Sequence, residues 1–201
     1  NKLDRTMLEL HLPPEETYRN LTRVLEDVNV IINTYCDETL GAAFSAKGVT
    51  GKALIEAVMV DPCKGNVAFG TGLHQWGFTL VHFASLYSSK FGIPKEVMLK
   101  NLWGERYYNS ATKKFVNSSG GGKLARGFVH FILDPIYSLF EVVMQEKTFY
   151  SEKTEKDVLL CWKMFKQLGI TLKGKDRELR GKELLKRAMQ KWLPAAEALM
   201  E

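Results

Sequence analysis

The chain has 201 residues, 45% of them hydrophobic and 25% charged. That is ordinary for a globular protein of one large or two small domains and is enough hydrophobe to close a core. Sixteen glycines and six prolines exclude collagen-like and Pro-rich chains, and no apolar run approaches the roughly 18 residues needed to span a bilayer. The formal charge of +5 is unevenly placed: residues 152–191 carry twelve Lys/Arg against six Asp/Glu, a surplus of +6, while residues 192–201 carry −2. A solvated helix face is the ordinary account of such a segment, and an acidic partner or RNA phosphate is the functional one. Cys36, Cys63 and Cys161 are odd in number and form no Cys-x-x-Cys pair. This argues against a disulfide framework or zinc and for a reducing, cytoplasmic setting. The start, Asn1-Lys2-Leu3-Asp4-Arg5, has neither a signal peptide nor an initiator Met and reads as a cut from a longer chain.

Pro13-Pro14-Glu15-Glu16 opens a helix, because proline suits the first turn and acids there complement the helix dipole. Tyr18, Leu21, Leu25, Val28 and Ile32 continue it on one face. Residues 37–64 break the pattern with glycines and Pro62 and predict a long exposed loop, with a helical turn or two over Ala53 to Met59. Asn66 to Gly70 is a short apolar run ended by glycine, the pattern of a buried strand. A helix is expected from Thr79 to Lys90, stopped by Gly92, with another begun at Pro94. Aromatics alternating with polar residues over 106–116 predict a β-hairpin around Asn109 to Thr112, followed by a polar loop from Asn117 to Gly122.

Phe128 to Met144 is strongly apolar. Asp134-Pro135 predicts an extended or kinked piece there, then a helix capped by Asp134. Val158, Cys161, Phe165 and Leu168 mark an amphipathic helix, as do Leu184, Leu185, Ala188, Met189 and Trp192, and Pro194 separates a short helical tail. The sum is a mixed α and β chain dominated by helix.

Most catalytic signatures are missing. A phosphate-cradling loop needs Gly, four residues, Gly, Lys and then Ser or Thr. Gly122-Lys123 has Asn117 at the first position and Leu124 at the last, and Gly51-Lys52 has Ala46 and Ala53. None of His11, His74, His82 and His130 sits in His-Glu-x-x-His, and there is no Gly-x-Ser-x-Gly elbow. Each histidine reads first as structural, and Trp76, Trp103, Trp162 and Trp192 read as core anchors rather than base-stacking platforms. What remains is Asn1-Lys2-Leu3-Asp4. An Asp carboxylate accepts two hydrogen bonds from guanine N1–H and its exocyclic amine, a pairing adenine does not offer. The Lys stem lies over a purine plane, and the Asn side chain pins a neighbouring loop. Alone, four residues with one free position are as well explained by a turn.

Further stretches occur in order: Val28 to Ile32, Gly65 to His74, Phe78-Thr79-Leu80, Leu102-Trp103-Gly104, Phe131 to Ile136 and Trp192 to Ala196. Together with Asn1 to Arg5 they resemble, over essentially the whole chain, the second half of the GTPase region of the eukaryotic elongation factor 2 family of ribosomal translocases. The resemblance implies an α/β fold: the C-terminal part of a P-loop GTPase domain with an inserted, helix-dominated α+β G′ subdomain. Residues 1–76 would be the end of the G domain, 77–193 the G′ subdomain, and 194–201 the start of the closing G-domain helix.

By the same resemblance, Asn1, Lys2, Leu3 and Asp4, with Thr71, Gly72 and Leu73, would bind the guanine of GTP. A backbone amide of the second stretch would meet the base oxygen, and glycine at 72 permits that close approach. Gln75 departs from the family, which usually has Gly there, and the stretch from Cys36 to Lys64 is longer than the family's. The parent would bind GTP with Mg²⁺ and drive ribosomal translocation in the cytoplasm as a monomer. Its phosphate loop and switches are expected upstream of Asn1, so the chain by itself is expected to be inactive and a poor nucleotide binder. G′ would face the ribosome, its RNA and its acidic stalk proteins, with Lys182, Lys186, Arg187 and Lys191 as contacts. Two alternatives are a related GTPase of ribosome maturation or splicing, and a stand-alone basic module gripping RNA or an acidic protein. Gly72-Leu73-His74 and Trp192 to Ala196 favour the elongation factor over the former.

Overall fold

A computed structural model describes residues 1–35, 56–151 and 156–200. Most of the loop expected over 37–64, and Cys36, lie outside the described residues, although Glu56 to Val58 are helical. The protein is a helix-rich α/β chain with three small antiparallel sheets among the described residues. Among the described residues no helix is long and apolar enough to cross a membrane.

Two helices open the chain, α1 (Leu3–Leu8) and α2 (Pro14–Tyr35). The stripe expected on α2 is covered except at Val28, Ile32 being half-buried, and further apolar residues off the stripe are exposed. Tyr18 is buried and Leu21 and Leu25 half-buried, but Val28 is 37% exposed and Val24, Ile31 and Tyr35 are exposed beside it. A 3₁₀ turn, Pro62–Lys64, follows, capped by Asp61. Strands β1 (Ala68–Thr71) and β2 (Trp76–Thr79) then form a hairpin with Ala68 opposite Thr79 and Thr71 opposite Trp76. The strand expected to be buried is therefore half-buried: in β1 Phe69 and Thr71 are buried while Ala68 is exposed, whereas every residue of its partner β2 is buried.

Helix α3 (Leu80–Phe91) begins where Thr79 Oγ1 accepts the His82 amide at 3.1 Å and ends at Gly92 in the left-handed region. Helix α4 (Lys95–Leu102) follows Pro94. The expected hairpin is β3 (Tyr107–Asn109) against β4 (Lys114–Val116), and β3 also pairs with β5 (Ala125–Arg126).

Around Asp134 the expectation is met in part, since a helix begins there, but neither the extended piece nor the cap is present. The chain is not extended before it; a π-helical turn, Val129–Leu133, runs directly into α5 (Asp134–Met144). Asp134 is helical and its amide reaches back to the Val129 carbonyl, so it does not cap. The widened turn takes up the register in which Pro135 has no amide to give, and the helix continues instead of breaking.

A second correction concerns Val158. It belongs to strand β7 (Lys156–Leu159), paired with β6 (Thr148–Ser151), and the helix α6 (Leu160–Gln167) starts only after it. Helices α7 (Gly181–Trp192) and α8 (Ala195–Met200) close the chain, with α7 burying Leu184, Leu185, Ala188 and Met189 as its pattern predicts.

One hydrophobic cluster runs from Leu3 to Leu193 through Trp76, Phe78, Phe83, Phe128 and Phe165. The chain that leaves through β2 returns beside it: Gly77 N donates to Leu193 O at 2.9 Å, and Trp76 bridges Pro194. That return seats α8 against the β1–β2 hairpin and fixes the turn on which the candidate site is built.

Candidate functional site

Residues 1–4 and 71–75, far apart in sequence, meet at one end of the hairpin. Asn1 Oδ1 accepts hydrogen bonds from the Gly72 amide at 3.0 Å and from the Lys2 amide at 2.7 Å. Lys2 sits in the left-handed region and is exposed, while Leu3 and Asp4 enter the first turn of α1. Leu3 is buried and anchors that turn in the core. Thr71 is buried at the end of β1, Gly72 is exposed, and Leu73 projects into solvent with 78% of its surface free.

Asp4 is the unexpected member. Only 5% of it is exposed, its Oδ2 lies 3.2 Å from His74 Nδ1, and its buried Oδ1 has no hydrogen-bond partner. A buried carboxylate oxygen without a donor is costly. A cleft of about 300 Å³ opens beside Asn1, Thr71 and Gly72, flanked by Ala195, Ala198 and Leu199 of α8, but Asp4 does not line it. The carboxylate therefore lies against an imidazole and does not line the cleft.

His74 is the residue that sequence reasoning passed over. His74 entered the sequence reading only as part of the Gly65 to His74 stretch, and only the fold sets it against Asp4. Its neighbour Gln75 adopts a left-handed φ of 59°, a conformation glycine takes without cost. The turn is held by α7, where Gln190 Nε2 donates to His74 O at 3.1 Å and to Gln75 Oε1 at 3.3 Å.

Glycine at 72 is not required by the protein's own atoms. A methyl added there would meet only the Asn1 side chain, at ordinary contact distances of 3.7 and 3.8 Å. The room it leaves matters only when something else approaches that backbone.

The basic face lies on α7. Lys182 and Lys186, one turn apart, are exposed on one flank; Arg187 and Lys191, also one turn apart, lie on the other. These four are not equivalent, because Arg187 Nε is tied to Asp176 Oδ1 at 3.1 Å. A groove of about 730 Å³ opens elsewhere in the same basic segment, with Trp162 and Phe165 in its wall and Lys166 and Arg177 beside them.

Among the described residues no group of three His, Cys, Asp or Glu is placed to hold a metal. Burial, reinforced by the Asp61 charge, pushes the Cys63 thiol up to about 11, and burial also raises Cys161, which disfavours the reactive thiolate at both. No protein-family profile matches the chain.

Proposed function

We propose that the chain is the guanine-reading and partner-docking portion of a translational GTPase of the elongation factor 2 kind. The observation that carries this reading is the bond from the Gly72 amide to Asn1 Oδ1, which ties the two stretches the resemblance assigns to one base. Asp4 Oδ1, a buried acceptor lacking a donor, fits a base that brings two. Asn1 would hold the 71–75 turn, Asp4 would accept from N1–H and the 2-amino group, and Lys2 would cover the ring. GTP, with Mg²⁺ on its phosphates, would supply the energy for translocation, and its phosphate end would be held by residues other than those described. The exposed lysines of α7 would meet an acidic protein of the ribosome.

Base selectivity tests the reading directly. An Asn at position 4 offers one acceptor and one donor, a pair suited to xanthine, whose 2-position carries oxygen. The 201-residue chain, titrated with millimolar nucleotides by NMR, is expected to prefer GDP over ADP and over xanthosine diphosphate. Asp4→Asn is expected to reverse the guanine–xanthine preference by on the order of 10–100-fold, the worth of a charge-assisted hydrogen bond or two. Gly72→Ala is expected to leave stability within about 0.5 kcal/mol of wild type yet weaken GDP binding about tenfold. A wild-type chain that treats GDP and ADP alike removes the reading.

The docking half has its own expected result. Lys182→Glu with Lys186→Glu should abolish binding to an acidic stalk protein measured at low salt, while Arg187→Glu alone should cost less because Asp176 already holds that guanidinium. Undiminished, salt-insensitive binding by the double variant eliminates α7 as the contact. Steep salt-dependent RNA binding without any preference for guanine nucleotide would favour the stand-alone module instead.

A further inference from the structure

The Asp4 carboxylate has a ligand inside the protein. Its Oδ2 lies 3.2 Å from His74 Nδ1, its Oδ1 is buried and unpartnered, and Asp4 itself is 5% exposed. A base that takes two hydrogen bonds from one face needs both oxygens, and neither is presented to the cleft beside Asn1 and Gly72. We infer that His74 is an internal competitor for the base: the Asp4–His74 contact and guanine binding exclude one another. This rests on the guanine reading above and goes beyond it by naming what must move.

The geometry allows the movement. His74 lies in the exposed turn between β1 and β2, between Leu73, which projects into solvent, and Gln75. Its main chain is fixed, because Gln190 of α7 holds the His74 carbonyl at 3.1 Å. Its side chain is 28% exposed, so rotation about side-chain bonds swings the ring outward without disturbing the hairpin. Withdrawal of the imidazole frees Oδ2, and the incoming base brings the second donor that Oδ1 lacks. The exchange replaces one internal polar contact by two hydrogen bonds to the ligand. His74 therefore sets the affinity without contributing to the choice of base.

The test uses the 201-residue chain with GDP as probe and ADP as control. His74→Ala, and His74→Leu to keep bulk without a ring nitrogen, are expected to bind GDP on the order of 3–10-fold more tightly than wild type, the worth of one polar contact, with the preference for GDP over ADP unchanged. Nitrogen-15 NMR of the imidazole should show the Nδ1 proton hydrogen-bonded in the free protein. That signal should change on GDP binding, and equally in Asp4→Asn without nucleotide. If both His74 variants bind GDP as weakly as Asp4→Ala, or if the Nδ1 signal is unmoved at GDP saturation, His74 supports the carboxylate and the competition is refuted. If no form of the chain prefers GDP to ADP while the Nδ1 signal still responds to Asp4→Asn, the contact is real, the guanine reading has failed, and this inference falls with it.

Discussion

Replacing Gly70 with alanine is expected to lower the unfolding free energy by about 3 kcal/mol and to abolish whatever the 71–75 turn binds. Gly70 faces Gly77 across the β1–β2 ladder. A methyl at position 70 would run into the Trp76 carbonyl and the Gly77 Cα. Those are backbone atoms, which have no rotamer to escape into, so the two strands must part. Their separation pulls Thr71 and Gly72 away from Asn1 and loosens the hairpin on which α8 packs. Gly77→Ala provides the internal control: its methyl would meet Phe69 O at 3.1 Å and otherwise only ordinary contacts. A shift of a few tenths of an ångström accommodates it, so a loss of about 1 kcal/mol is expected. Urea titrations read both, and an unchanged m-value shows that the denatured state was not altered. Equal losses at the two positions would mean that general glycine-to-alanine effects in a strand, and not the close approach at Gly70, set the cost.

What was legible in the sequence follows from how local each signal is. Thr79, Gly92 and Pro94 mark helix ends through their own backbone preferences, and α3 and α4 begin and end beside them. The hairpin around Asn109 to Thr112 is equally local: the Asn109 side chain accepts the amides of Ala111 and Thr112 within its own turn. Asp134-Pro135 misled because proline's lack of an amide can be met in two ways. A break is the local one, and a widened helical turn is available when Phe131, Ile132 and Leu133 are all buried in the core. Val158 misled for a different reason, since Val158, Cys161, Phe165 and Leu168 satisfy a helical period that the β6–β7 pairing overrides at its first member.

The candidate site was half legible. Asn1 and Gly72 were expected together, and their hydrogen bond is a contact of two loops that no local pattern encodes; only the resemblance supplied it. His74 carried no such pointer, because what distinguishes it is its position against Asp4, a distance set by the β1–β2 turn and by Gln190 on a helix more than a hundred residues away. In the same way the lysine spacing on α7 was readable at one residue per turn, whereas the tether from Asp176 that sets Arg187 apart was not.

Arg126→Ala is expected to cost about 3 kcal/mol, in the range for removing a buried, hydrogen-bonded charge, discounted because its partners are partly solvated. Arg126 is 7% exposed and ties three separated pieces of chain. Its guanidinium pairs with Glu15 of α2 at 2.8 Å and with Glu105 at 2.6 Å, and donates to Gly104 O at 3.2 Å. It also lies against the rings of Tyr18, at 4.8 Å, and Tyr107, at 5.0 Å. Glu105 is 73% exposed on its side chain, so its Coulombic share is small. The larger share comes from the two rings that lose their filling and from the Gly104 carbonyl that loses a donor.

Arg126→Met separates these contributions, since it restores most of the stem but none of the hydrogen bonds. Arg126→Lys keeps the charge without the planar fork. Both are expected to fall between wild type and alanine, and a lysine variant as stable as wild type would show that charge alone suffices. Acid supplies a second readout. The Tyr107 hydroxyl, and after it Arg126, hold the Glu105 carboxyl below its usual range. A depressed carboxylate stabilises above its unfolded pKa and loses that contribution as pH falls through the folded one. The gap between the thermal unfolding midpoints of wild type and Arg126→Ala should therefore narrow without closing as the pH drops through the carboxylate range, and a gap that stays constant into acid would assign the stabilisation to the tyrosine rings and the Gly104 carbonyl.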